Sequence, residues 1–145
     1  MNIRRAVVAI VYRTKDEKME FLVLHRKLIW TGWEFPKGGL EKMDKGLDEL
    51  AVKRELEEET GIKNIRIVTK LPYKIRYKTS KEHEAQYKFK ETVQSVFLIH
   101  ALESGVKTSI EHDSHMWLPY KDARKLLTHM QQRRALDEAW KFLKK

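Results

Sequence analysis

The chain has 145 residues, of which 30 are Lys or Arg and 21 are Asp or Glu, so its net charge is +9. It contains no cysteine, which excludes disulfides and thiolate metal sites and favours a reducing compartment. No window approaches 18 uninterrupted apolar residues and no charged-then-apolar leader opens the chain, so we expect one soluble, cytoplasmic domain over residues 1–145.

Charge is distributed unevenly along the chain. Residues 38–62 carry a net charge of −4, whereas residues 1–37 carry +4 and residues 63–145 carry +9. An acidic segment in a basic chain can hold a divalent cation while the rest of the surface attracts polyanions. This field suits a polyphosphate or a nucleic acid, and a basic surface can also serve solubility alone.

The hydrophobic pattern predicts a mixed α/β fold. Residues 4–12 form an apolar strand, and residues 20–25 follow after a charged turn, as in a hairpin. A helix is predicted over Asp48–Thr60, and its apolar side is formed by Leu47, Leu50, Ala51 and Leu56. Beyond it we predict strands over 65–68, 71–78 and 89–101, a polar loop over 79–88 near the site, and helices over 119–128 and 131–143.

Three glutamates of the predicted helix share one face. Glu55, Glu58 and Glu59 stand at positions i, i+3 and i+4. Carboxylates roughly 5–6 Å apart repel one another by about 3 kcal/mol per pair at an effective dielectric near 20, so we expect a cation among them. Oxygen ligands select hard ions, which predicts Mg²⁺ or Mn²⁺ rather than zinc. The alternative is a solvated acidic face, the interpretation that we apply to Glu57 and Glu49.

Residues before these acids support a metal site. Arg54 immediately precedes the first carboxylate, and we expect it to fix the helix orientation by reaching an acidic or carbonyl group. Lys37, Gly38 and Gly39 lead towards the helix. Adjacent glycines let backbone N–H groups approach a phosphate, and Lys37 adds positive charge beside them. The pattern therefore predicts a phosphate-binding loop next to a metal site.

Residues 38–62 resemble the Nudix box. The run Arg-Glu-Leu-Glu-Glu-Glu-Thr-Gly-Ile at 54–62 matches the second half of that box at every position. The first half is one residue longer than usual and has Gly46 where the family has Glu. We interpret this as a single insertion in the loop, with Glu41 or Asp44 as the nearest substitute for the missing acid. The resemblance implies a Nudix-type α/β/α sandwich, with a mixed sheet between helices.

Two further runs resemble the asymmetric diadenosine tetraphosphate hydrolases, a branch of the Nudix family. They are Trp-Glu-Phe-Pro-Lys-Gly at 33–38 and Glu-His-Asp-Ser-His-Met-Trp-Leu at 111–118. The resemblance implies that Glu111 lies near the metal and that His115 stacks on adenine. Tyr77 is the other predicted base platform, although a half-buried cross-strand aromatic explains it equally well.

This resemblance implies magnesium-dependent hydrolysis of a pyrophosphate bridge in dinucleoside polyphosphates, giving mononucleotides. Glu55, Glu58, Glu59 and Glu111 would hold the metal, and Arg54 belongs to the catalytic group. The general base stays open among Glu58, Glu55 and Glu111. The predicted phosphate-binding residues are Lys37, Gly38 and Gly39, with Lys90 or Arg26 as helpers.

Two other functions remain open from the sequence. Removal of pyrophosphate or a cap from RNA 5′ ends fits the basic composition, and RNA-acting relatives resemble the run at 33–38 too. A nucleotide-binding or RNA-binding module without turnover is the third reading. No membrane partner and no obligate protein partner are predicted.

Overall fold

The computed structural model describes residues 3–28, 30–79 and 89–145. The predicted loop over 79–88 lies outside the described residues except for Thr79. The described strands are β1 (Ile3–Lys15), β2 (Lys18–Arg26), β3 (Gly32–Glu34), β4 (Lys37–Gly39), β5 (Ile65–Lys78), β6 (Glu91–Ala101) and β7 (His112–Leu118). The described helices are α1 (Asp48–Thr60), α2 (Tyr120–Leu126) and α3 (Met130–Leu143), and a 3₁₀ turn covers Lys42–Asp44.

The strands form one mixed sheet in the order β3-β2-β1-β6-β5, and β7 pairs with β2. β1 runs parallel to β6, and β1 and β2 form an antiparallel hairpin near their connecting turn. Farther from that turn, β4 pairs with β1 and β3 pairs with β2. Residues 32–39 therefore occupy the gap where β1 and β2 separate, and we call this segment the wedge.

Both faces of the sheet are covered. Alternate residues of β1 point to opposite sides, which makes the strand a continuous apolar run. Val7 packs on the same side as Leu56 of α1, as do Ala9 and Val11. Val8 packs on the other side with Leu136 of α3. The predicted α/β/α sandwich is confirmed, with α1 on one face and α2 and α3 on the other.

Several local predictions need correction. The bounds of α1 are as predicted, and Gly61 ends the helix with a φ of 77°. Its apolar side differs, because Leu47 and Leu50 are 55% and 41% exposed while Val52 is buried. β5 is one irregular strand rather than two, and residues 112–118 form a strand that the pattern did not predict. Among the described residues, no helix is long and apolar enough to cross a membrane.

Candidate active site

The acids of α1 lie beside the wedge, but they separate into two groups. Glu55 and Glu58 lie with Glu41 from the preceding loop, and their nearest carboxylate oxygens are within 4.8 Å of one another. Glu59 belongs to a second group, in which it lies within the same distance of Glu111 and of a His112 ring nitrogen. The helix thus presents all three predicted glutamates to one region without bringing them to one point.

Glu59 is the most deeply buried of the three glutamates. Its Oε1 accepts a hydrogen bond from the backbone N–H of Lys37 at 3.0 Å. Burial raises the pKa of Glu59 to about 8, and the nearby charges of Glu34, Glu55 and Glu111 act in the same direction. Burial likewise raises the pKa of Glu55, although Arg54 opposes this effect.

These groups fit a divalent cation. A buried carboxylate surrounded by other carboxylates is held in its neutral form until positive charge approaches it. The donor atoms are mainly carboxylate oxygens, which hard divalent ions prefer. Glu59 therefore lies in an environment that suits a metal ligand. Glu55 and Glu58, which are more exposed to solvent, also lie among carboxylates.

Arg54 links the helix to the loop before it. Its Nε and Nη2 donate to the two carboxylate oxygens of Asp44 at 3.0 and 2.9 Å. Its Nη1 donates to Glu55 at 2.8 Å and to Glu58 at 3.0 Å, and Nη2 also donates to the Gly39 carbonyl at 2.9 Å. Of the two candidate substitutes for the missing acid, Asp44 is the one that is buried and makes the paired contact with Arg54.

Asp44 is the last residue of the 3₁₀ turn, and a tight turn follows it before α1. Lys45 and Gly46, which follow the 3₁₀ turn, have φ values of 53° and 74°. The Arg54 hydrogen bonds lower the pKa of the Asp44 carboxyl, so it is ionised at neutral pH. Asp44 is therefore the loop acid that binds Arg54 through both carboxylate oxygens, and the bounds of α1 are those expected from the sequence.

Gly38 and Gly39 lie in extended backbone rather than in an open loop. They pair with Val7 and Ala6 of β1. A Cβ on Gly38 would lie 2.0 Å from Cδ of Glu55, and one on Gly39 would lie 2.5 Å from Nη2 of Arg4. Glycine is thus required at 38 because the Glu55 carboxylate packs directly on its backbone, and the contact of Gly38 and Gly39 with phosphate stays a prediction.

Lys37 borders a cavity on the face opposite α1. The cavity measures about 440 Å³ and lies between the sheet and the start of α3. Tyr77 also lines it, and so does Trp30, whose ring lies 4.6 Å from that of His129. Glutamine side chains supply polar groups to its lining: Gln94, Gln131 and Gln132. A mainly apolar cavity with aromatic walls has the size and chemistry of a nucleobase site.

The structure does not bring His115 or Lys90 to this cavity. His115 pairs with Leu24, whose side chain packs on the α1 face. Because directly opposed residues of paired strands point to the same face, His115 and Tyr77 lie on opposite sides of the sheet. Lys90 is exposed just before β6.

A buried polar network adjoins the second group of acids. Glu34 is fully buried and contacts His112 Nε2 at 2.9 Å and Arg26 Nη1 at 3.2 Å. The same Arg26 nitrogen lies 3.3 Å from Oε2 of Glu111. Burial disfavours the Glu34 anion, but contacts with His112, Lys37 and Arg26 outweigh it and lower the pKa of Glu34.

Sequence reasoning missed Glu34, His112 and Trp30 as site residues. Glu34 and His112 stood inside the two runs that carried the resemblance, but no periodicity indicates that an acid in a three-residue strand is buried. Trp30 belongs to an irregular stretch before β3, where the sequence pattern does not indicate in which direction a side chain points. Arg26 had been named only as a helper for phosphate, whereas its observed partners are carboxylates.

Comparison with known proteins places this chain in the Nudix family. The model of the NUDIX domain matches residues 2–139. An RNA pyrophosphohydrolase of Sulfurovum sp. is 36% identical over 104 residues, which cover 70% of this chain and only 65% of that protein. An RNA pyrophosphohydrolase of Nitratiruptor sp. is 30% identical over 126 residues, covering 82% of this chain and 79% of that one. A C. elegans Ap4A hydrolase in a binary complex superposes with a TM-score of 0.82 at 23% identity, covering 97% and 98% of the two chains, which shows a shared fold.

Proposed function

Because this chain belongs to the Nudix hydrolase family, we propose that it hydrolyses a phosphoanhydride bond in dinucleoside polyphosphates such as diadenosine tetraphosphate, giving mononucleotides. The observation that carries the proposal is the position of Lys37. Its backbone N–H binds Glu59 while its side chain lines the cavity. A nucleoside in that cavity would therefore have its phosphates at the edge of the acidic groups.

In this proposal the acids hold Mg²⁺, which Mn²⁺ could replace. The ligands would be Glu55, Glu58, Glu59 and Glu111. The bound metal would polarise phosphate oxygens and lower the pKa of a water. One carboxylate would take a proton from the attacking water, and Glu58, Glu55 and Glu111 are the candidates for this role. Arg54 holds Glu55 and Glu58 in place, since one of its nitrogens contacts both.

The cavity and Lys37 would bind the substrate. The Lys37 ammonium lies 3.7 Å from Glu34. Because the Lys37 side chain is partly exposed, the ammonium could also contact a phosphate at the wedge. Tyr77 and Trp30 offer ring faces on which a base can stack. His115, on the other face, could contact a second nucleoside but not the one in this cavity.

The test is hydrolysis of diadenosine tetraphosphate with Mg²⁺ by the wild type, Glu58→Gln and Glu57→Gln. Glu57 is the matched control, because it lies on the same helix, is exposed and belongs to neither acidic group. We expect Glu58→Gln to lower kcat at least tenfold and Glu57→Gln to leave it within twofold. Equal turnover by the wild type and Glu58→Gln would refute this role of Glu58. Nucleotide binding without products would instead identify a binding module.

Hydrolysis at RNA 5′ ends is the second candidate, and the named sequence relatives favour it. Both are called RNA pyrophosphohydrolases, and each is at least 30% identical to this chain over its matched part. The same acids and the same cavity would serve, with the first base of the RNA in place of adenosine. Competition between triphosphorylated RNA and diadenosine tetraphosphate separates the two candidates, because the better substrate will inhibit hydrolysis of the other at the lower concentration.

A further inference from the structure

Glu34 and Glu111 compete for one nitrogen of Arg26. Nη1 of Arg26 lies 3.2 Å from Oε2 of Glu34 and 3.3 Å from Oε2 of Glu111. Glu34 is completely buried, whereas the Glu111 side chain is 43% exposed. Charge attraction is stronger away from water, so the guanidinium is held mainly by the buried acid.

Other contacts fix both members of the buried pair. His112 Nε2 lies 2.9 Å from the same Glu34 oxygen, and the His112 ring is itself buried. Nε of Arg26 donates to the Leu28 carbonyl at 3.0 Å. The pair therefore has little freedom to move, and Arg26 remains bound to Glu34 although Glu111 lies at a similar distance.

We propose that Glu34 is a positioning residue: it shares Arg26 with Glu111, weakens the hold of the guanidinium on that carboxylate and so leaves it available to the divalent cation. The inference rests on the proposed function, since it takes Glu111 as a metal ligand. If Glu34 loses its charge, Arg26 has Glu111 as its remaining carboxylate partner among the described residues. Metal and arginine then compete for the same oxygens.

A purely structural role for Glu34 makes a different prediction. A buried ion pair can serve only to join strands β2, β3 and β7, and its loss would then lower stability without changing the metal site of the folded protein. Removing Arg26 as well would leave that defect in place or make it larger. Under the positioning role, removing Arg26 restores metal binding, because the competitor for Glu111 is gone.

The experiment is Mn²⁺ titration of the full chain without substrate, followed by electron paramagnetic resonance of the free ion. The variants are Glu34→Gln, Arg26→Gln, the double variant, and the control Glu20→Gln. Glu20 pairs with Arg13 across β1 and β2 at 2.9 Å, remote from the acids. We expect Glu34→Gln to weaken Mn²⁺ binding about tenfold, as is usual for residues that position metal ligands. The double variant should return to within about threefold of the wild type, and the control should not change.

Two results would overturn the inference: unchanged affinity in Glu34→Gln, or a double variant that binds as weakly as the single one. Should Glu34→Gln fail to fold by circular dichroism, Arg26→Gln decides, because competition for Glu111 requires this variant to bind Mn²⁺ more tightly than the wild type, whereas a purely structural role predicts the same affinity. A wild type that neither binds Mn²⁺ nor hydrolyses any polyphosphate would refute the proposed function itself. Normal binding and turnover without the Glu34→Gln effect would refute only the role of Glu34.

Discussion

Glu59 makes the metal-free protein less stable as the pH rises. Its pKa is about 8 in the folded chain, against the ordinary glutamate pKa of 4.5 that applies to the unfolded chain. Between these values the folded state keeps a proton that the unfolded state has released, so the unfolding free energy falls by about 1.4 kcal/mol per pH unit. At pH 7 this amounts to about 3 kcal/mol, and above pH 8 no further loss is expected.

Glu59→Gln removes this titration while keeping an oxygen that can accept the Lys37 N–H. We expect the variant to gain stability over the wild type from pH 5 to pH 8, and by about 3 kcal/mol between pH 4.5 and pH 7. The assay is urea unfolding in EDTA at several pH values, with Glu57→Gln as the exposed control. Excess Mg²⁺ should reverse the order, because the cation binds the folded wild type and stabilises the ionised carboxylate. Parallel stability curves for wild type and Glu59→Gln would refute the reasoning.

Two further predictions concern the residues around these acids. Gly38→Ala places a methyl group 2.0 Å from Cδ of Glu55, so we expect kcat to fall at least tenfold. The control is Gly105→Ala, whose new Cβ meets no atom within 4 Å and should change kcat less than twofold. Equal activities of the two variants would contradict this steric account. Asp44→Ala removes the buried partner of Arg54, and we expect a loss of about 3 kcal/mol in urea unfolding together with lower kcat. An Asp44→Ala protein with wild-type stability and turnover would indicate that Arg54 is held sufficiently by its other partners.

Helix periodicity predicted the location of the acids but not their grouping. The bounds of α1 and the shared face of Glu55, Glu58 and Glu59 follow from spacing alone, since 3.6 residues per turn is a local property. Their separation into two groups depends on Glu111 and the loop acid Glu41, which lie far away in sequence or in an irregular segment. Such long-range partners are fixed by the sheet and leave no periodic signal.

Burial in short or irregular segments was equally hard to predict. The pattern placed Leu47 and Leu50 on the apolar side of α1, yet both are exposed. It gave no sign that Glu34 is enclosed, because a three-residue strand has no measurable alternation. One extra residue in this loop is a prediction from the sequence, whereas the selection of Asp44 over Glu41 as the paired contact of Arg54 is seen only in the folded loop.

The wedge explains how one short segment serves both sides of the sheet. Glu55 packs beneath Gly38 on the α1 face, while the side chain of Lys37 lies on the cavity face because successive residues of a strand point in opposite directions. In a strand that is paired on both sides within the sheet, the backbone N–H of Lys37 would be used in strand pairing. Here β1 and β2 separate, so the backbone N–H of Lys37 is free to bind Glu59 and its side chain remains partly exposed. Lys37 and the acids are therefore joined through one short backbone segment, and a displacement of the wedge would alter the cavity and the acidic groups together.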